Sequence, residues 1–240
     1  MTVENSFPNK ETETENLEVK TKKLIRKLII FYSIIALICM FLFQAKLLVT
    51  VICLIQITIA FYFYNRSNGI ITVDFNTNST QPSLFFPLLI PIVVLFATVI
   101  IEITVLDYTF FWIPFSIFLL VFLLVIIKLI KKNEGEKKIG SLITSVILGA
   151  AFSFGFTINS NEVLSLNAGE QFNAQVMDKW IIESRNTTYH FMLSHWGSMK
   201  DSNSIKVLQY QYDSYQLGDS VTIEYNSGLY NMPFIKLVDK

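Results

Sequence analysis

Charge is scarce in this sequence: Asp, Glu, Lys and Arg make up 16% of its 240 residues, against roughly 25% in an ordinary globular protein. That scarcity excludes a simple soluble domain, because 52% of the residues are hydrophobic and the mean hydropathy is +0.48, more apolar surface than one core of this size can hide. Neither sign of charge prevails. Nineteen basic and nineteen acidic residues give a formal net charge of zero, so no global basic field draws in nucleic acid. The only two cysteines, Cys39 and Cys53, lie in apolar runs, which excludes a disulfide framework or a thiolate metal centre in the polar parts. Also missing are G-x-S-x-G, a P-loop, G-x-G-x-x-G and H-E-x-x-H, so no cofactor is implied and an enzyme would need a site that motif reading does not detect.

What the sequence has instead is long apolar runs. About 20 apolar residues cross a hydrocarbon core of about 30 Å as a helix, and five runs qualify as spans: 28–43, 47–64, 84–105, 108–130 and 141–158. Gln44-Ala45-Lys46 separates the first two, and Leu106-Asp107 the third and fourth, so each pair reads as a tight helical hairpin. Pro87, Pro91 and Pro114 fall near predicted helix starts or in first halves, where a missing donor is harmless or makes a kink that neighbours absorb. The fifth run carries Ser141, Ser145, Gly149 and Ser153 at every fourth position, one helical stripe on which a neighbouring backbone can approach closely. The competing reading of that run is an amphipathic helix lying on the membrane surface, but its stripe is small and polar rather than cationic.

Orientation follows from Lys and Arg in the short loops. Lys20, Lys22, Lys23, Arg26, Lys27, Arg66, Lys128, Lys131, Lys132, Lys137 and Lys138 fall on one side, and Lys46 stands alone in the opposite hairpin turns. The amino terminus is therefore expected in the cytoplasm, with the carboxyl-terminal segment outside if all five runs cross and inside if only four do. Residues 1–23, rich in Glu, Thr, Asn and Lys through their first 19, are expected to form a disordered cytoplasmic tail. No clear small-x-small site follows the first run, so it should remain as an anchor. N-x-S/T triplets begin at Asn65, Asn78 and Asn186, and such triplets arise by chance in an Asn-rich chain.

From Asn159 the pattern changes to short alternating segments, the signature of strands with one buried face. The expected strands are 172–183, 187–196, 204–210, 220–225 and 234–238, with Leu217-Gly218-Asp219 and Asn226-Ser227-Gly228 as turns around the fourth. Five short strands in residues 159–240 predict a small all-β domain of SH3 or OB type, whose closure removes exposed edges. That segment holds six basic and nine acidic residues, the wrong balance for a phosphate backbone.

The intramembrane polar group that stands out is Glu102, because a charge in a span is costly and is a functional hypothesis by default. It lies five residues before Asp107, about 7.5 Å along a helix, and with Lys46 in the other outer turn it forms a candidate polar cluster. The cluster reads either as a proton or cation site or as an ion pair tying the hairpins together, and its shallow depth favours the ion pair. Gln56 is expected to make an interhelical hydrogen bond. His190 and His195, five apart, fall on opposite faces of a strand with no third ligand near, which argues against a metal site. The many aromatic residues of the last domain, among them Trp180, Tyr189, Trp196 and Tyr212, divide between core and surface.

Several turn motifs carry a resemblance. A loop Asn after the last span, Val176-x-Asp178-Lys179, Tyr189-x-Phe191-x-Leu193, Tyr215-Gln216-Leu217-Gly218-Asp219-Ser220-Val221 and Gly228-Leu229-Tyr230-Asn231-Met232-Pro233-Phe234 together resemble uncharacterised bacterial multi-spanning inner-membrane proteins with a small C-terminal β domain. The resemblance covers about the last 80 residues and the general layout, departs in having Phe234 where Trp is expected, and implies architecture without a catalytic residue. The expectation is a membrane α-helical bundle of five spans that anchors an extracytoplasmic β-barrel-like interaction module for an envelope protein. The alternative is a bundle that transports a small solute or ion.

Overall fold

The computed structural model of the chain describes residues 10–42, 45–67, 69–75, 82–102, 104–133, 138–165, 169–183, 187–197 and 203–238. Five long helices form first: α1 (Lys10–Phe41), α2 (Lys46–Arg66), α3 (Phe85–Glu102), α4 (Trp112–Asn133) and α5 (Lys138–Val163). Segments of α1, α2, α4 and α5 are long and apolar enough to cross a membrane, and α3 is a shorter apolar helix of 18 residues. The two expected hairpin turns stand between α1 and α2 and between α3 and α4. Besides α3, which ends at Glu102 rather than at residue 105, three boundaries differ from the sequence expectation. First, α1 begins at Lys10, so residues 10–23 are helical rather than disordered; no Gly or Pro interrupts residues 10–41, Glu18 and Lys22 stand at the favourable i, i+4 spacing, and the Thr21 hydroxyl donates to the Leu17 carbonyl at 2.8 Å. Second, α4 starts at Trp112 after a turn in which Phe111 N–H donates to the Tyr108 carbonyl at 3.0 Å. Third, α5 runs past Ile158 to Val163. The first nine residues of the expected tail and the triplets at Asn78 and Asn186 lie outside the described residues.

Contacts divide the chain into two compact units, Met1–Val94 with Leu119–Phe152, and Leu95–Phe118 with Ser153–Lys240. In the first unit the Tyr32 hydroxyl, fully buried on α1, donates to the Gln56 carbonyl on α2 at 2.6 Å. The interhelical bond expected at Gln56 thus uses its backbone oxygen, and its side-chain nitrogen has no partner among the described residues. The stripe on α5 packs inward: Ser141 and Ser145 are buried, and a Cβ on Gly149 would meet the Phe122 ring at 2.8 Å. Ile139, Ile143 and Ile147 on the same helix are 57% or more exposed, the inverse of the polar-out arrangement of a helix in water. At the first turn of α5, Asp74 lies against Gly140, where a Cβ would stand 2.6 Å from its carboxylate oxygen, and a helix start favours negative charge. Among its described residues, the polar loop after α2 contains a parallel bridge, Thr72 to Ser83.

All five expected strands form in the second unit, as β2 (Glu170–Ile182), β3 (Thr188–Leu193), β4 (Asn203–Val207), β5 (Ser220–Asn226) and β6 (Phe234–Val238). A sixth strand, β1 (Thr104–Val105), comes from the turn between α3 and α4 and pairs antiparallel with β6, Thr104 opposite Ile235 and Val105 opposite Phe234. The order is β1-β6-β5-β2-β3-β4. The 13-residue β2 pairs with β5 through Glu170–Gln175 and with β3 from Val176 to Ile182, with an irregularity between Val176 and Asp178. A bulge there bends the strand and rolls the sheet until Lys206 N–H of β4 donates to Thr104 Oγ1 of β1 at 3.4 Å. The result is a nearly closed antiparallel barrel. Its interior holds Val176, Phe191, Leu193, Ile205, Val221 and Ile223, all buried, as their alternation along the strands requires.

The short helix α6 (Gln209–Ser214) joins β4 to β5. Lys179 Nζ donates to the carbonyls of Tyr212 and Tyr215 at 2.5 and 2.6 Å and lies 4.1 Å from the Tyr212 ring centroid. A cation placed there satisfies the unpaired carbonyls at a helix end. Lys179→Met, which keeps the stem, should lower unfolding stability by about 1–3 kcal/mol, read from denaturant unfolding of the full chain, with Lys179→Arg closer to wild type.

Candidate functional site

The three residues singled out near the two hairpin turns sit in different settings. Lys46 is buried in the first turn of α2. Asp107 is exposed, and its Oδ1 accepts from the Thr109 hydroxyl at 2.6 Å and the Thr109 N–H at 2.8 Å. Those two bonds hold its carboxyl below the usual carboxylate range and explain it as a turn residue between α3 and α4. Glu102 is the last residue of α3, and its side chain lies outside the described ones. Asp219 likewise serves a turn, accepting from Gln216 N–H at 2.8 Å beside Gly218 at φ +87°.

A different polar cluster stands at the end of α5, where Asn159, Ser160, Asn161 and Glu162 are all buried. Asn159 Nδ2 donates to the carbonyls of Leu95 and Gly155 at 2.9 and 2.8 Å, and its Oδ1 accepts from the Thr98 hydroxyl at 2.9 Å. That amide stitches α5 to α3 with both ends satisfied. Asn161 does the same for the loop between β5 and β6: Nδ2 donates to the Met232 carbonyl, Oδ1 accepts from Tyr230 N–H, and its own carbonyl accepts from Leu229 N–H, each at 2.9 Å. Further fastenings are the Ser165 hydroxyl donating to Asn226 Oδ1 at 2.7 Å and an ion pair between Glu162 and Lys236.

The loop is shaped to fit this clamp. Gly228 has φ +70°, and a Cβ there would collide with the Asn161 amide, so only glycine meets both the conformation and the space. Asn231 at φ +55° turns the chain again and sends Met232, fully buried, among Val99 of α3, Phe111 before α4 and Ile158 of α5. Leu106 N–H donates to the Pro233 carbonyl at 2.8 Å beside the β1–β6 pairing. The Asn and the Gly-Leu-Tyr-Asn-Met-Pro-Phe run noted in the sequence are thus two halves of one joint. Sequence reasoning missed Asn159 and Asn161 as helical residues, although the signal was present: the stripe Ser145, Gly149, Ser153 continues at the same spacing through Thr157 to Asn161.

On the outer face of β2, β3 and β4, register places Trp180 opposite His190 and His190 opposite Lys206. The indole and imidazole stack at 10° with centroids 5.4 Å apart, and His190 Nε2 lies 3.1 Å from the Thr188 hydroxyl. His195, by contrast, is exposed beyond the end of β3. Desolvation, and then the Lys206 charge, lower the His190 pKa below its ordinary 6.5. Folding therefore favours the neutral imidazole, so this contribution to stability is complete above pH 6.5, is lost as pH falls from 6.5 through the folded value, and is constant below it. In unfolding midpoints between about pH 7.5 and 5, His190→Gln should show a shallower acid slope than wild type.

No protein-family model, curated protein or solved structure matches the chain.

Proposed function

We propose that this is a five-span inner-membrane protein whose helices anchor a small β module on the outer side of the membrane, where the module binds an envelope partner. The observation that carries the reading is β1. Its backbone pairing with β6 supports placing the turn between α3 and α4 and the β domain on one side of the bilayer, since strands do not pair across hydrocarbon. A chain that leaves that turn through α4 returns to the same side only if α5 also crosses. The Lys and Arg distribution favours the exterior for that side. Exposed Tyr108, Phe110 and Trp112 beside the turn fit the aromatic belt of a membrane interface. Within the β domain, β2 pairs with both β3 and β5, and α6 lies between β4 and β5, connections that favour the OB type over the SH3 type. An anchoring role is supported over transport by the Thr98–Asn159 pair, whose polar atoms are taken up by each other and by backbone carbonyls.

Sidedness tests the reading. In a variant with Cys39 and Cys53 replaced by alanine, single cysteines at Asp107 and Leu217 should both react with a membrane-impermeant thiol reagent applied to intact cells. Labelling of one and not the other, or of neither until the cells are lysed, overturns the topology. Retention of function in Glu102→Gln separates the anchor from a transporter that uses that acid.

A further inference from the structure

We propose that the carboxyl-terminal ends of α2 and α4 form a site for one anionic phospholipid, with Arg66 and Lys132 holding its phosphate. The site belongs to the helical anchor and stands whether or not the β module binds a partner. Lys132 Nζ of α4 donates to both the main-chain carbonyl and the Oδ1 of Asn65 on α2, at 3.0 and 2.8 Å, and further along the same two helices the rings of Phe61 and Phe122 lie 5.6 Å apart. The ammonium is thereby fixed at the peptide unit that joins Asn65 to Arg66, with one of its three N–H groups left over. Arg66 carries its guanidinium over the Tyr62 ring, 5.5 Å from the centroid. That contact engages the face of the guanidinium and leaves the N–H groups in its plane for two oxygens of a phosphate. Tyr62, Asn65, Arg66 and Lys132 are all exposed, and among the described residues no carboxylate pairs with either cation. The same faces suit the lipid tails. On α4, Leu120, Leu124, Lys128 and Lys132 recur at every fourth position and are exposed; on α2, Val51, Ile55, Tyr62 and Arg66 make the matching exposed stripe. Each stripe is apolar along the helix and cationic at its end, with a tyrosine at the level that an interface favours. A helix end favours a cation in its last turn, which accounts for Arg66 on α2 and for one lysine on α4. Lys128, Lys131 and Lys132 exceed that need, and the surplus charge selects an acidic headgroup over a zwitterionic one.

The test follows the full chain in detergent by native mass spectrometry as phosphatidylglycerol, phosphatidylcholine or glycerol 3-phosphate is added. Wild type should retain one phosphatidylglycerol about tenfold more tightly than phosphatidylcholine with the same tails, and glycerol 3-phosphate at equal concentration should not displace it. Arg66→Gln combined with Lys132→Gln should bring the two lipids within about twofold of each other. Arg66→Lys, which keeps the charge and loses the fork, should fall between. Lys22→Gln combined with Lys23→Gln removes the same net charge from α1 and should leave the preference unchanged. Helix content by circular dichroism checks each variant, and if the first double variant fails that check, Arg66→Gln alone, a change at one exposed side chain, should lose about threefold. No preference in wild type, a preference that survives the Arg66 and Lys132 changes, an equal loss in both double variants, or displacement by glycerol 3-phosphate overturns the proposal. Because the thiol-labelling experiment needs no added lipid and this one needs no sidedness, the two readings fail separately.

Discussion

Asn161→Ala should loosen the β domain from the helix ends and cost about 2–5 kcal/mol, because it leaves the Met232 carbonyl and the Tyr230 N–H without their partner in a buried joint. Asn161 is 1% exposed, so water does not readily replace the lost amide. The expected readout is a lowered unfolding midpoint for the full chain in detergent, together with new proteolytic cleavage in the loop between β5 and β6. Asn161→Asp keeps an acceptor for Tyr230 N–H but sets a buried carboxylate oxygen against the Met232 carbonyl, so at neutral pH it should be at least as damaging as alanine. A midpoint unchanged by alanine would show that the ion pair of Glu162 with Lys236 and the β1–β6 pairing hold the joint by themselves.

Met232→Ala should be comparably damaging, about 2–5 kcal/mol, although it removes no hydrogen bond. The thioether fills a gap bounded by Val99, Phe111 and Ile158, three residues from three separate segments that cannot all close on a methyl group. Met232→Leu conserves volume and should cost less than about 1.5 kcal/mol. The same unfolding measurement checks both. Because Asn161 and Met232 act on one loop, the double alanine variant should lose less than the sum of the singles.

The β domain was legible in the sequence to within a few residues for β2, β3, β5 and β6, because one buried face imposes strict alternation. In Val221-Thr222-Ile223 the buried members, Val221 and Ile223, are the ones that alternation assigns inward. The stripe on α5 was legible for the same reason at a different period. The first strand was not. Thr104 and Val105 continue an apolar run and read as the last turn of a span, and nothing local marks two residues whose partners lie at Phe234 and Ile235. The clamp escaped for a subtler reason: Asn159 and Asn161 look like the polar exit from a helix, and only the tertiary structure supplies Leu95, Met232 and Tyr230 to satisfy them inside it. The row of Trp180, His190 and Lys206 depends on strand register, and register across a bulged β2 is fixed by packing rather than by spacing in one strand.

The pairing of β1 with β6 also sets an order of events during synthesis. Thr104 and Val105 leave the ribosome before α4, α5 and all five of the other strands exist, and they wait for a partner at the far end of the chain. Such a late, non-local closure is slow relative to helix formation, so the barrel has an open seam until the last segment arrives. A chain in which α5 has been misplaced never brings β6 to that seam, and its unpaired edge remains a handle for aggregation or for proteases. Two residues of a helical turn therefore act as an inspection step for the whole preceding assembly.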